Sequence, residues 1–528
     1  GDPTRAEFVR VQVELARLPD HGPARPALED REHDLLAAHE PAWLGVPSDA
    51  LTEWEWDRGF VNEVRCGADT LLEHGPDLFS RPPVRGWDPS ATWAPVESLV
   101  AALRGWASVI EVLDLQAVSV HAADFDRLLT GPDWPRLSRL VMSDRRQFDW
   151  LVPVFARCTF APRLRLLRAM SGPNSDGDDF RLARLTEATA GTRLADLGVP
   201  GCRATARELS DLLARSASDA LDRLDLSDSD LAATAVRAFH RTAARLTALD
   251  VSGTPLAAFA LEPLLAAPAL AGLRELNVNR CGSAANAVRA LLRSPFWSQA
   301  TALRLADGTV PTRLVEPLFA ADGPPALRTL DLSNNFLYDA GVADLCNATW
   351  AGSLTWLGLG RNYLTDDAAE HIARSGRFRH LRTLHLSYNH PRWLDEDFAG
   401  QVTDRGAVAL ATSPGLATLR VLTLTGVNLT AAGVDALVNG AVWRLSGLGL
   451  GHCNLTAAAV RVLAASPRLA RLSFLDLSGN PRLRDDALLP LAESPYLSPL
   501  LELDVHGCGA ADGVRAELSR RLGRRFGG

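Results

Sequence analysis

Few residue groups in this chain have the types and spacing that chemistry requires. Gly447-Leu-Gly449-Leu-Gly451 has the glycine content of a phosphate-cradling loop. Such a loop works by aiming consecutive backbone N–H groups at an anion. Here each glycine alternates with a leucine, the period of a strand with one buried face. Asn174-Ser-Asp-Gly-Asp-Asp179 resembles a calcium loop in its oxygens. The glycine of the sharp turn is missing after Asp178, and Leu185 stands where a bidentate glutamate belongs. A solvated surface loop is the expectation. His39-Glu40 lacks the second histidine of a zinc-binding HExxH helix.

Seven cysteines, Cys66, Cys158, Cys202, Cys281, Cys346, Cys453 and Cys508, stand no closer than 44 residues apart. No CxxC or zinc-ribbon spacing exists, so no metal site is expected. The odd count and wide scatter suit a reducing cytoplasm rather than a disulfide framework. No GxSxG is present, and no Cys–His pair emerges. The chain has no lysine, so its 55 basic residues are all arginine. A Walker loop, a kinase-type ATP site and a Schiff-base enzyme each need a lysine. The expectation is a protein with no catalytic residues and no cofactor.

The elements that carry these residues repeat. Leu327-Arg-Thr-Leu330-Asp-Leu332-Ser-Asn-Asn335 recurs as Leu354-Thr-Trp-Leu357-Gly-Leu359-Gly-Arg-Asn362 and as Leu381-Arg-Thr-Leu384-His-Leu386-Ser-Tyr-Asn389, at a step of 27 residues. The second leucine falls at Leu113, Leu140, Leu167, Leu197, Leu224, Leu249, Leu276, Leu303, Leu330, Leu357, Leu384, Leu422, Leu448, Leu475 and Leu503, fifteen positions in all. Each unit reads as strand, turn and helix, with Thr365 or Asp366 available to cap a helix such as the one after Leu364. Parallel strands stack about 4.8 Å apart and helices about 10 Å apart, so a row of strands backed by helices curves with the strands inside.

This pattern resembles the ribonuclease-inhibitor-like class of leucine-rich repeat, over about residues 105 to 510. The resemblance implies an α/β fold: a right-handed horseshoe solenoid, strands concave and helices convex. It also implies a ladder of buried polar residues five positions after the second leucine, here Cys202, Ser229, Thr254, Cys281, Asn335, Asn362, Asn389, Cys453, Asn480 and Cys508. Val118, Arg145 and Gly172 occupy that position in the first three units, which predicts irregular terminal repeats.

Residues 1–85 do not fit the period. Phe8, Val11, Leu15 and Leu18 share one face of a helix from Thr4 to Leu18; a second helix is expected from Leu28 to His39. Phe60, Asn62 and Val64 alternate like a strand. Gly1-Asp-Pro-Thr-Arg-Ala-Glu-Phe-Val-Arg-Val-Gln12, Trp56-Asp-Arg-Gly-Phe-Val-Asn-Glu-Val64 and Leu78-Phe-Ser-Arg-Pro-Pro-Val84 resemble a short bacterial repeat-companion domain. The resemblance implies a bacterial protein with a mainly helical N-terminal cap, residues 1–85, ahead of a repeat domain, residues 86–528, of fifteen to sixteen repeats. The family's usual upstream helix is absent and the chain opens abruptly at Gly1, so a fragment of a longer protein is expected.

Composition agrees with a binding role. Hydrophobic residues are 47% and charged residues 22%, enough for a large core, and the net charge of -8 disfavours nucleic acid and anionic membrane. No apolar run reaches the roughly 20 residues of a membrane span. The concave positions are polar and mainly acidic from Asp225 to Asp331, then aromatic and glycine-rich from Trp356 onward. The predicted partner-binding residues are Trp356, His385, Tyr388, Val421 and Phe474. Trp393 joins them from an insertion of eleven residues within His390–Val402, where one repeat step grows to 38. Exposed aromatics on a rigid sheet are common interface anchors. Gly358, Gly360, Gly447, Gly449 and Gly451 are expected to leave a shallow floor between them. The alternative is a regulator of enzyme turnover, such as a GTPase-activating protein, with Arg280 and Arg361 able to approach a phosphate.

Overall fold

Each of the fifteen registered leucines lies inside a short strand, flanked by residues that face away from the core. The computed structural model describes the chain except residues 1, 19–23, 48–50, 52, 81–83, 85, 90–95, 116–121, 143–145, 170–181, 190–191, 216–220, 232–234, 243–244, 256–259, 281–283, 309–310, 321, 390–400, 441–443 and 528. Trp393 and its insertion, Cys281, the calcium-like segment, Val118, Arg145 and Gly172 lie outside the described residues. The chain forms two compact units, Gly1–Asn277 and Val278–Gly528.

In the first unit the strands run parallel with leucine opposite leucine: Leu113, Leu140, Leu167, Leu197, Leu224, Leu249 and Leu276 in turn. In the second unit the same register joins Leu303, Leu330, Leu357, Leu384, Leu422, Leu448, Leu475 and Leu503. All fifteen leucine side chains are buried. Each buries enough apolar surface to contribute about 2 kcal/mol. The helices between strands pack side by side on the other face of the sheet, for example Asp366–Ser375 against Asp404–Ala411. This is a leucine-rich-repeat solenoid in each unit, of mixed α/β class.

The helix starts are tied together across repeats. Thr365, Thr403 and Thr430 are N-caps whose hydroxyls accept the amides of Asp367, Arg405 and Ala432. Asp366 does not cap its own helix. It reaches to the next repeat and accepts from the Thr403 amide at 2.8 Å, the Thr403 hydroxyl at 2.7 Å and the Gly406 amide at 2.8 Å. Asp339 does the same for Thr365, and Asp404 for Thr430. Gly406 is required by this approach: a Cβ there would lie 2.6 Å from Asp366 Oδ1.

At the N-terminus, helices Pro3–Arg17 and Arg25–Leu44 pack through Phe8, Val11, Leu15, Leu35 and Trp43. Leu18, expected on that face, is the C-cap and only half-buried. Strand Phe60–Cys66 pairs antiparallel with Glu53–Asp57, and a bulge skips Asn62 in the pairing. The extra residue shifts the phase, so Val61, Val64 and Cys66 point inward while Phe60 is 38% exposed. The simple alternation of Phe60, Asn62 and Val64 is therefore broken. This strand pairs parallel with Gly86–Pro89, whose Trp87 stands opposite Leu113 as one more core position. At the other end, Phe526 stands opposite Leu503.

Candidate binding face of the second unit

The polar ladder is built from side chains that satisfy strand-end backbone groups. Asn362 donates to Leu332 O at 2.9 Å and Gly360 O at 3.1 Å, and its Oδ1 accepts the Asn335 amide at 3.2 Å. Asn335, Asn389 and Asn480 repeat this geometry. Cys453 donates its thiol to Leu424 O at 3.1 Å, and Cys508 to Leu477 O at 3.2 Å. In the first unit, Cys202 and Ser229 bond each other, and Thr254 donates to Val251 O. Gly308 and Val427 interrupt the row in the second unit. Asn335 compensates at the first gap by accepting the Gly308 amide.

The six described cysteines are free and buried. Burial raises the Cys158, Cys346 and Cys453 thiols to about 12 and Cys202 to about 11. These are unreactive thiols.

The predicted partner-binding residues form a half-buried band on the open side of the sheet. The Trp356 ring lies along its own strand over Gly358, where a Cβ would sit 2.7 Å from the ring. It also meets His385, with ring centroids 5.0 Å apart. His385 Nδ1 bonds Thr423 Oγ1 at 2.7 Å. Burial holds the His385 imidazole below the ordinary histidine range, against a smaller upward pull from Asp331.

The glycines do not leave an empty floor. Val421 leans over Gly447, Thr423 over Gly449 and Asp476 over Gly451, each within about 3.3 Å of the space a Cβ would take. Neighbouring side chains spread into the room that glycine provides, so the band is flat and filled. Phe474 pairs across from Gly447 and Glu502 and is half-buried. Trp356 and Phe474 are four strands apart, about 20 Å.

A second row borders this band. The residue four positions after each strand leucine turns the chain with positive φ: Asp307, Asn334, Arg361, Tyr388, Gly426, His452, Gly479 and Gly507 in the strand sequence of the second unit. Glycine, asparagine and aspartate tolerate this conformation, whereas a bulky side chain costs about 1–2 kcal/mol there. Yet Arg361, Tyr388 and His452 occupy it at φ of 56°, 56° and 54°. Their side chains lie in a file. Arg361 sits over the Tyr388 ring at 5.1 Å, and the Tyr388 and His452 rings are 6.1 Å apart. Tyr388 covers Gly426, and His452 covers Gly479. Arg361 and His452 were not among the predicted partner-binding residues. Their signal in the sequence is a large side chain at the turn position that small residues otherwise fill.

The other face positions carry pairs rather than open charge. In the first unit, Arg168 binds Asp196 through two bonds, Arg223 binds Glu275 at 2.5 Å, and Asn277 donates to Asp250. No group of three His, Cys, Asp or Glu side chains suited to a metal ion is found among the described residues. His506 turns back to its own Asp504, at 2.9 Å.

No protein-family model matches the chain. A human leucine-rich repeat-containing protein 14 is 34% identical over 143 residues, 27% of this chain and 28% of that protein, so the chain matches little more than a quarter of its relative's length. Among solved structures, an internalin from Listeria monocytogenes covers 63% of this chain and 80% of its own at TM-score 0.38, with 18% identity. The yeast Rad7–Elc1 complex covers 80% and 86% at TM-score 0.44, also with 18% identity. The fold described above rests on the strand register.

Proposed function

We propose that this chain is a non-catalytic scaffold that binds a protein or peptide on the strand face and turn rim of its second unit. The site comprises Trp356, His385, Tyr388, Val421 and Phe474, with Arg361 and His452 from the rim and Trp393 as an outlying lip. One observation carries the reading. Three bulky residues hold left-handed turns that cost conformational energy, and they align beside half-buried aromatics on the adjoining strands. Strain concentrated in one place marks a functional surface, and aromatic and arginine side chains are the usual anchors of one. The N-terminal 85 residues are proposed to cap the open end of the first unit's core, with hairpin strand Phe60–Cys66 extending its sheet.

The test uses the partner recovered by affinity purification from the source cell. Trp356→Ala and Phe474→Ala should each weaken its binding about 30-fold or more, the equivalent of 2 kcal/mol. Asp250→Ala, in the first unit, should change it less than about fivefold. Equal affinities for all four proteins, wild type included, would remove the site from this face. Deleting Arg392 to Gly400 tests the lip, which unchanged affinity would exclude.

A further inference from the structure

We propose that the strand-entry edge of the first unit carries a second site, a groove that binds an acidic peptide segment. The groove is open, with a volume of about 710 Å³, and Arg136, Arg163, Arg165 and Arg193 line it together with Glu111. Repetition builds it. Arg136, Arg163 and Arg193 each stand four residues before a strand leucine, Leu140, Leu167 and Leu197. Those leucines are paired neighbours in consecutive parallel strands. The same register on adjacent strands places the three arginines in a row at about the 4.8 Å strand spacing, before their side chains splay. Arg165 comes from the middle repeat, two residues after Arg163.

The backbone under the row is rigid. The Arg165 amide donates to Ser138 O at 2.7 Å, and the Arg165 carbonyl accepts from Ala195 at 2.8 Å and Asp196 at 3.0 Å. Leu137, Leu164 and Leu194, each directly after an arginine of the row, are buried and anchor it. Arg163 is also held through its side chain. Its Nη2 donates to Trp134 O at 3.2 Å and Thr159 O at 2.9 Å, leaving Nε and Nη1 for a ligand. Among the described residues no carboxylate pairs with any of the four guanidinium groups. In a chain with net charge -8, where many arginines do find carboxylates, four uncompensated cations in one groove are out of keeping with their surroundings.

A row of guanidinium forks matches carboxylates, which they bind through paired hydrogen bonds. An extended peptide presents side chains on one side every 6.6 Å or so, within the reach of flexible arginines in this row. The groove does not suit nucleic acid. No aromatic residue lines it for base stacking, and Glu111 opposes a phosphate chain.

The experiment is fluorescence anisotropy of a labelled peptide of alternating glutamate and serine, titrated with the full chain. Saturable binding is expected, with loss of affinity between about 50 mM and about 200 mM salt. Arg163→Gln with Arg193→Gln, and separately Arg136→Gln with Arg165→Gln, should each raise Kd about tenfold or more with an unchanged melting temperature, because all four side chains are exposed. Arg207→Gln, on the exposed surface of a helix, should bind as wild type. Trp356→Ala should also bind the peptide as wild type, so this site and the second-unit face stand or fall separately. Equal Kd for wild type and both double variants would overturn the proposal. So would absence of saturable binding, or tighter arginine-dependent binding of a single-stranded oligonucleotide of equal charge.

Discussion

Turn residues show how strain and exposure separate binding from stability. His452 is exposed, yet it holds a left-handed turn at φ 54°. His452→Gly relieves about 1–2 kcal/mol of backbone strain and loses about 0.5–1 kcal/mol to the greater freedom of glycine in the unfolded chain. Its stability should stay within about 1 kcal/mol of wild type in urea unfolding, while partner affinity falls. A large destabilisation would make His452 a structural residue. His385 gives a pH signature. Its depressed folded pKa means that the unfolded chain takes up the proton first as pH drops below about 6.5. The stability held above that pH is lost as pH falls through the folded value. The urea midpoint should decline between pH 7 and pH 5, and His385→Gln should flatten the decline. An identical slope in the variant would remove His385 as its source. The buried thiols predict a third result: Cys202, Cys453 and Cys508 should resist alkylation at pH 8 in the native protein and react once it is unfolded. Fast native labelling of Cys453 would contradict its place in the ladder.

Elements were legible where one physical pattern dominates. Leucine alternation at a 27-residue step names every strand, because a one-residue slip would turn the leucines out to solvent. What was not legible depends on contacts between repeats. Asp366 reads as a local helix-start residue, since a carboxylate favours any helix N-terminus; only the adjacent helix reveals that it serves Thr403 and Gly406. The bulge at Asn62 left no mark in composition, so the phase of that strand could not be read. Glycines signalled missing side chains but not the neighbours that lean into the space. These contacts have costs of their own. Asp366→Ala leaves buried amides without acceptors and should cost about 2–3 kcal/mol. Leu357→Ala removes a fully buried core side chain and should cost about 2–5 kcal/mol. Calorimetric or urea unfolding checks both, and wild-type behaviour of Leu357→Ala would mean that the register is wrong.

For the molecule as a whole, the account assigns binding to surfaces that the repeat lays out in rows, and chemistry to none. Among the described residues no helix is long and apolar enough to cross a membrane. The face of the second unit and the arginine groove of the first use the same device. A fixed register turns one position per repeat into a line of side chains on a rigid support, which lowers the ordering cost of association. The sequence shows which positions form such lines, but not which of their side chains are already paired within the chain, as the Arg168–Asp196 and Arg223–Glu275 pairs are. The partner's place on the second unit is tested most directly by hydroxyl-radical footprinting of the full chain with and without its captured partner. The account predicts that oxidation of Trp356, Tyr388, His452 and Phe474 slows several-fold in the complex, while the exposed Phe60 and Tyr496 react as before. Unchanged oxidation of those four residues, with protection at Tyr496 on the opposite side of the repeats, would contradict it.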